Sequence, residues 1–275
     1  MPAVKRNGLD LYCEQTGTGD PVVLVHGSWT DHHTWDRIVP LLARSFLVLT
    51  YDRRGHSKST RPAGQGSIRE DVADLAALIE GSGLAPVHVI GNSFGGSITL
   101  RLASELPELF HSVHVHEPPL RGLLEDRGVH SSLASREQAV LGLLEKGHTE
   151  AGARQFAETI IGSGSWDRFP PERRETYIFN ALTFLDEQRD PEWLVLDLPL
   201  VATLSRPVLL THGDQSDPTF ALIVDRLARA LPHAEKRLLH GVGHGPHVSH
   251  PADYVRIIES FIRQSEADSA ESGGS

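Results

Sequence analysis

The chain has 275 residues, 39% of them hydrophobic and 23% charged, a globular composition with room for one large core and a smaller inserted module. Its formal net charge of −10, with no run of Lys or Arg, excludes the clustered cations that nucleic-acid binding requires, so no nucleic-acid partner is expected. Cys13 is the sole cysteine, which excludes an intramolecular disulfide and reads as a small half-buried residue.

Short apolar, β-branched runs alternate with longer segments of helical period, the pattern of a mostly parallel sheet covered on both faces by helices. In chain order, Leu9 to Glu14 reads as an antiparallel strand, and Pro21 to Val25 as the first buried parallel strand. A helix over Thr34 to Ala43, a strand over Phe46 to Thr50 and a helix over Ser67 to Ile79 come next. The strand Val87 to Ile90, the helix Ser97 to Glu105 and the strand Val113 to Val115 continue the alternation.

From Pro118 to about Arg206 the alternation stops and only helical patterns remain, over Arg136 to Leu144, Ala151 to Ile161 and Glu172 to Leu185. This region is expected to be an inserted helical cap over residues 118–206, with the sheet-bearing core formed by 1–117 and 207–265. Its aromatic residues, among them Trp166, Phe184 and Trp193, are expected to line a substrate pocket together with Trp29, although packing between cap helices is the commoner role for any one of them. The sheet resumes with strands over Val208 to Thr211 and Glu235 to His240 and helices over Thr219 to Ala230 and Ala252 to Ile262. Residues 266–275 are acidic and rich in Ser and Gly, and are expected to be a solvated, disordered tail.

The start, Met1 to Arg6, lacks the apolar run of a signal peptide, and no stretch approaches the roughly 18 apolar residues of a membrane span. A cytoplasmic protein without a membrane partner is the expectation, with a homodimer left open.

The segment Gly91-Asn92-Ser93-Phe94-Gly95-Gly96 follows a strand and opens a helix, matching a nucleophile elbow of the form G-x-S-x-G. At so sharp a turn a Cβ on either outer glycine would clash, and the turn lifts the Ser93 hydroxyl clear of the sheet beside a helix N-terminus. A serine hydroxyl needs an adjacent base, and in this chain order the base comes last. His244, in the loop Gly241-Val242-Gly243-His244-Gly245-Pro246 between the last strand and the last helix, fits that place better than His247 or His250.

The imidazole in turn needs a carboxylate to fix its tautomer and stabilise the imidazolium. The usual place is the loop Gly213-Asp214-Gln215-Ser216-Asp217-Pro218, yet the position that commonly holds aspartate is Ser216, flanked by Asp214 and Asp217. Glu117, at the C-terminal end of the strand after the nucleophile helix, is therefore the first choice, with Asp217 second and Asp214 third. Backbone N–H groups of Phe94 and of Ser28, in His26-Gly27-Ser28-Trp29, are the expected oxyanion donors. No cofactor is expected: Asp31-His32-His33 lacks a partner at metal-ligand spacing, and Tyr51 to Ser57 reads as a structural loop whose charges satisfy turn backbone.

With these residues in place, the chain resembles the α/β-hydrolase fold superfamily from about Leu9 to Ile262, through His26-Gly27, Asp52-Arg53-Arg54-Gly55-His56, the Gly91 to Gly96 elbow and Gly243-His244. Ser57 stands where relatives often carry a second glycine. In the place of its acid the chain resembles zearalenone-type lactone hydrolases and some haloalkane dehalogenases, but dehalogenation does not carry over, because those dehalogenases use an aspartate nucleophile and this chain has Ser93. The resemblance implies a serine hydrolase acting on an ester or lactone of a small, largely apolar molecule. The alternatives it leaves open are C–C bond hydrolysis or another non-ester reaction at the same site, or a ligand receptor with a vestigial hydrolase site.

Overall fold

A computed structural model describes residues 4–6, 9–124 and 131–273 of the chain. Nine strands are described: β1 (Val4–Arg6), β2 (Leu9–Leu11), β3 (Cys13–Thr16), β4 (Asp20–Val25), β5 (Phe46–Tyr51), β6 (Val87–Asn92), β7 (Phe110–His116), β8 (Val208–Gly213) and β9 (Glu235–Leu239). Seven of them form one sheet in the order β3-β5-β4-β6-β7-β8-β9, and β1 and β2 form a small antiparallel pair beside it. Only β3 runs antiparallel in the large sheet, against β5, so the expected strand over Leu9 to Glu14 is divided between the two sheets.

The helices are α1 (Val39–Leu42), α2 (Ile68–Ser82), α3 (Phe94–Glu105), α4 (Ser131–Glu145), α5 (Thr149–Ile160), α6 (Ser165–Arg168), α7 (Pro171–Arg189), α8 (Leu198–Val201), α9 (Pro218–Ala230), α10 (Pro246–Ser249) and α11 (Pro251–Gly273). Strand side chains alternate between two separate apolar layers, as a pleat of period two requires. Val23, Val25, Val89 and Val115 face the layer under α2, α3 and α9, whereas Val22, Leu24, Val48 and Ile90 face Trp35, Ile38, Tyr254 and Ile258 from the segment before β5 and from α11. Burial on both faces is why these strands read as unbroken apolar runs.

Two expected elements differ in form. The single helix over Thr34 to Ala43 is a 3-10 turn (His32–Trp35) followed by the short α1, with Pro40 in its first turn. Residues 266–273, expected as a disordered tail, instead continue α11, and Ser265 just before them is buried with its Oγ donating to Phe261 O at 2.8 Å. Adding turns to a helix already anchored by Tyr254, Ile258 and Ile262 costs far less than nucleating one.

The inserted region divides into two parts by packing. Helices α4, α5, α6 and α7 surround their own aromatic and aliphatic cluster, while Leu120, Leu123, Trp193, Leu196 and Val201, from the flanks of the same region, pack into the main core. Helix α7 is the bridge, because Asn180 donates from Nδ2 to Thr30 O at 3.1 Å and accepts from Ser57 N at 2.8 Å. It therefore lies across the loops that leave the C-terminal ends of β4 and β5, the end where an open α/β sheet places its ligand.

Candidate active site

Three adjacent strands, β4, β6 and β7, each deliver a residue in the left-handed region just past their C-terminal ends: Trp29 (φ 67°), Ser93 (φ 54°) and Glu117 (φ 47°). Such backbone costs of order 1–3 kcal/mol per residue and persists only where the surroundings impose it. At Ser93 the surroundings are explicit. A Cβ on Gly95 would come within 2.2 Å of Val25 O, and one on Gly91 within 2.7 Å of Gly95 O, so only glycine lets the elbow press against β4. Ser93 is half-buried, and its N–H donates to His116 O at 2.9 Å, which sets it beside the residue preceding Glu117.

The structure brings Glu117 and His244 together: Glu117 Oε2 accepts from His244 Nδ1 at 2.6 Å. Nδ1 therefore carries the proton and Nε2 is left free to act as a base. Glu117 is fully buried and is held by two further donors, Gly213 N at 2.8 Å to Oε1 and Ser216 Oγ at 2.9 Å to Oε2. Burial by itself would push this carboxyl up, but His116 facing it, the His244 bond and the Gly213 amide hold it down at about 2.

His244 is anchored from two sides. Asn92 Nδ2 donates to its carbonyl at 3.2 Å, which fixes the loop next to Ser93, and the Phe220 ring stacks on the imidazole with centroids 4.7 Å apart. Among the described residues no hydrogen bond joins Ser93 Oγ to the His244 ring; acyl transfer requires one in the reacting complex, and such bonds often form only when substrate is present.

The other two acid candidates sit elsewhere. Asp217 caps α9, accepting from Thr219 N at 3.0 Å, and pairs with Arg136 of α4 at 2.8 Å. Asp214 accepts from Gly241 N at 2.8 Å and lies 3.1 Å from His240 Nδ1.

The loop bearing Ser28 lies against the elbow, with the Gly27 position 3.0 Å from Ser93 Cβ when a Cβ is built there. Phe94 opens α3, so its N–H is one of the helix's unpaired first-turn donors. His26 fixes this loop: its Nε2 accepts from Arg53 N at 2.9 Å, so Nδ1 carries the proton and donates to Gly27 O at 2.8 Å. Burial, with the nearby Arg53, keeps His26 neutral by lowering its pKa to about 3.

The four aromatic residues expected around the substrate part company. Trp29 and Phe184 pack together at 5.1 Å in the cap cluster, where Trp29 also stacks on Phe156 at 4.9 Å. Trp166 belongs to the same cluster against Phe169, whereas Trp193 is buried in the main core with the Arg121 guanidinium 5.1 Å above its ring.

Asp52, Arg53 and Arg54 form the structural loop expected of them. Asp52 accepts from His32 N and Lys58 N, and Arg54 Nε donates to Asp74 at 2.7 Å. Spacing gave no sign that Asp52 would join Asp31 and His32, one donor atom of each lying within 4.8 Å of the others. Ordinary hydrogen bonds account for that cluster, since Asp52 Oδ1 takes His32 Nδ1 at 2.6 Å and Asp31 Oδ2 takes Ser57 Oγ at 2.7 Å. Sequence reasoning also missed Asn92 and Phe220, because each meets His244 only through the tertiary fold.

Known proteins agree with this architecture. The chain is 26% identical over 277 aligned residues to the 2-hydroxymuconate semialdehyde hydrolase of Pseudomonas sp. (strain CF600), covering 94% of this chain and 93% of that one. A shorter stretch is 35% identical over 108 residues to the 2-hydroxy-6-oxo-2,4-heptadienoate hydrolase of Pseudomonas putida, covering 38% of this chain and 39% of that one. The enol-lactonase from Burkholderia xenovorans LB400 superposes with a TM-score of 0.77 at 21% identity, over 95% of this chain and all of that one, a likeness of fold. The Alpha/beta hydrolase family profile matches residues 22–257, from β4, through the elbow and the inserted helices, into α11. The chain thus belongs to the alpha/beta hydrolase family.

Proposed function

We propose that the protein is a serine hydrolase that cleaves an ester or lactone of a small, largely apolar molecule through an acyl-enzyme on Ser93. The observation that carries this reading is the 2.6 Å bond from His244 Nδ1 to a buried, fully partnered Glu117, next to a serine on a strained elbow. In this reading His244 Nε2 takes the Ser93 proton as Oγ attacks the carbonyl carbon, and the charge that develops on the carbonyl oxygen is met by the N–H groups of Ser28 and Phe94. His244 then returns the proton to the leaving alcohol, and water repeats the sequence to release the acid.

A screen of esters, lactones, thioesters and amides with purified protein tests reaction class and substrate together. Ser93→Ala is expected to abolish turnover and labelling by a serine-directed phosphonate without unfolding the protein, and retained turnover refutes the nucleophile. A second reading, hydrolysis of a bond other than an ester, is favoured by the relative named as a semialdehyde hydrolase, which aligns over almost the whole chain. Turnover of a semialdehyde with no activity on any ester would establish it.

A further inference from the structure

Acyl transfer at Ser93 makes no direct use of Glu187, yet this cap residue on α7 is a carboxylate only 5% exposed. Its Oε1 accepts from Arg53 Nη1 and Nη2, both at 2.9 Å, and its Oε2 accepts from Ser28 Oγ at 2.5 Å. Arg53, only 1% exposed, is also gripped by Asp71 of α2 through Nε at 3.1 Å and Nη2 at 3.0 Å. From there its guanidinium stands 4.4 Å from the centre of the Phe94 ring, and Nη1 reaches Gly27 O at 3.4 Å.

One buried network therefore touches both residues whose N–H groups face the developing oxyanion. Glu187 holds Ser28 by its side chain, and Arg53 holds Phe94 by its ring and the Ser28 loop by the Gly27 carbonyl. Burying two carboxylates around one guanidinium is an expensive way to dock a cap, because desolvation costs several kcal/mol per ion, and the aromatic cluster around Trp29 and Phe184 already docks it by apolar contact. What the ions add is direction: a bidentate guanidinium fixes angles as well as distances.

We infer that Glu187 is a positioning residue that, through Ser28 and Arg53, sets the two oxyanion donors, so that the hole is complete only when the cap is seated. The inference rests on the acyl-transfer reading above. Because the donors must meet the oxyanion at about 2.7–3.1 Å, a loop released by a few tenths of an ångström loses part of the hundredfold or greater contribution of each donor.

The test is the rate at which a fluorophosphonate labels Ser93, together with kcat and KM for 4-nitrophenyl butyrate, in Glu187→Ala, Glu187→Gln, Ser28→Ala and the double variant Ser28→Ala/Glu187→Ala. Both alanine variants are expected to slow labelling and lower kcat about tenfold with little change in KM. The double variant should fall no further than the worse single one, since both remove the same tie. Glu187→Gln, which still offers Arg53 an acceptor, should recover part of the loss. Additive losses, a loss confined to KM, or wild-type labelling rates in folded Glu187→Gln and Ser28→Ala overturn the inference. Should Glu187→Ala fail to fold, the latter two variants decide alone. A wild type that is labelled at Ser93 but turns over no ester removes the proposed activity while the labelling rates still judge Glu187, and a wild type that is not labelled removes both.

Discussion

Ser216 Oγ donates to Glu117 Oε2 at 2.9 Å. The residue at the habitual position of the acid thus serves as a hydrogen-bond donor to an acid supplied by the neighbouring strand, and β7 and β8 share one carboxylate site between them. The oxygen that Ser216 touches is the one that receives His244 Nδ1, so the serine hydroxyl helps to aim the carboxylate that aims the imidazole.

Exchanging acids should therefore be asymmetric. Glu117→Gln is expected to lower kcat by about 10²–10⁴, because the amide no longer stabilises the imidazolium or enforces the tautomer. Asp217→Asn, at a helix cap, should leave kcat within about threefold and cost at most ~1 kcal/mol in stability. Steady-state kinetics on whichever ester the screen returns checks both, and the reverse ordering would move the acid back to the loop after β8.

Phe220 bounds the imidazole on one face at 4.7 Å. Phe220→Ala should lower kcat about tenfold by letting the ring turn away from Ser93, and should destabilise the fold by about 3–5 kcal/mol. Phe220→Leu restores bulk without the stacked face and is expected to recover stability more than rate. Denaturant melts read beside kcat separate the two effects.

Glu117 and Glu187 should contribute to stability with opposite dependence on pH. Glu117 is held down at about 2 in the fold, so between pH 4.5 and 2 the unfolded chain binds the extra proton and stability is lost as pH falls. Glu187 is pushed up to about 7 by burial, against the opposing pull of Arg53, so between pH 4.5 and 7 the folded chain holds the extra proton and stability is lost as pH rises. Buried neutral histidines such as His26 and His114 gain stability over the same range as pH rises, so the Glu187 effect is read as a difference: urea midpoints from pH 3 to 8 should show the stability of the wild type relative to Glu187→Gln falling as pH rises above 4.5.

Gly95→Ala is expected to be far costlier than its single methyl suggests, since that atom would meet Val25 O at 2.2 Å and has no flexible side chain to displace. A loss of more than about 3 kcal/mol, or failure to fold, is the expected result from thermal melts. Wild-type melting would mean that the elbow can back away from β4.

The sequence by itself determined the alternation of strands and helices and the elbow at Ser93, and put forward His244 as the candidate base, because each is a local signal: a hydrophobic period, a pair of outer glycines, a place in chain order. It also offered Glu117, though only by noting that Ser216 stood where an aspartate was expected. Tertiary structure alone placed Glu117, and neither Asp214 nor Asp217, against His244, through a 2.6 Å bond between residues 127 positions apart. It likewise decided that Trp193 belongs to the main core while Trp29 belongs to the cap cluster, and that Glu187 reaches Ser28 across 159 positions. Periodicity records which side of an element is buried, but which other element buries it is set when the sheet twists and the cap folds back over its C-terminal edge.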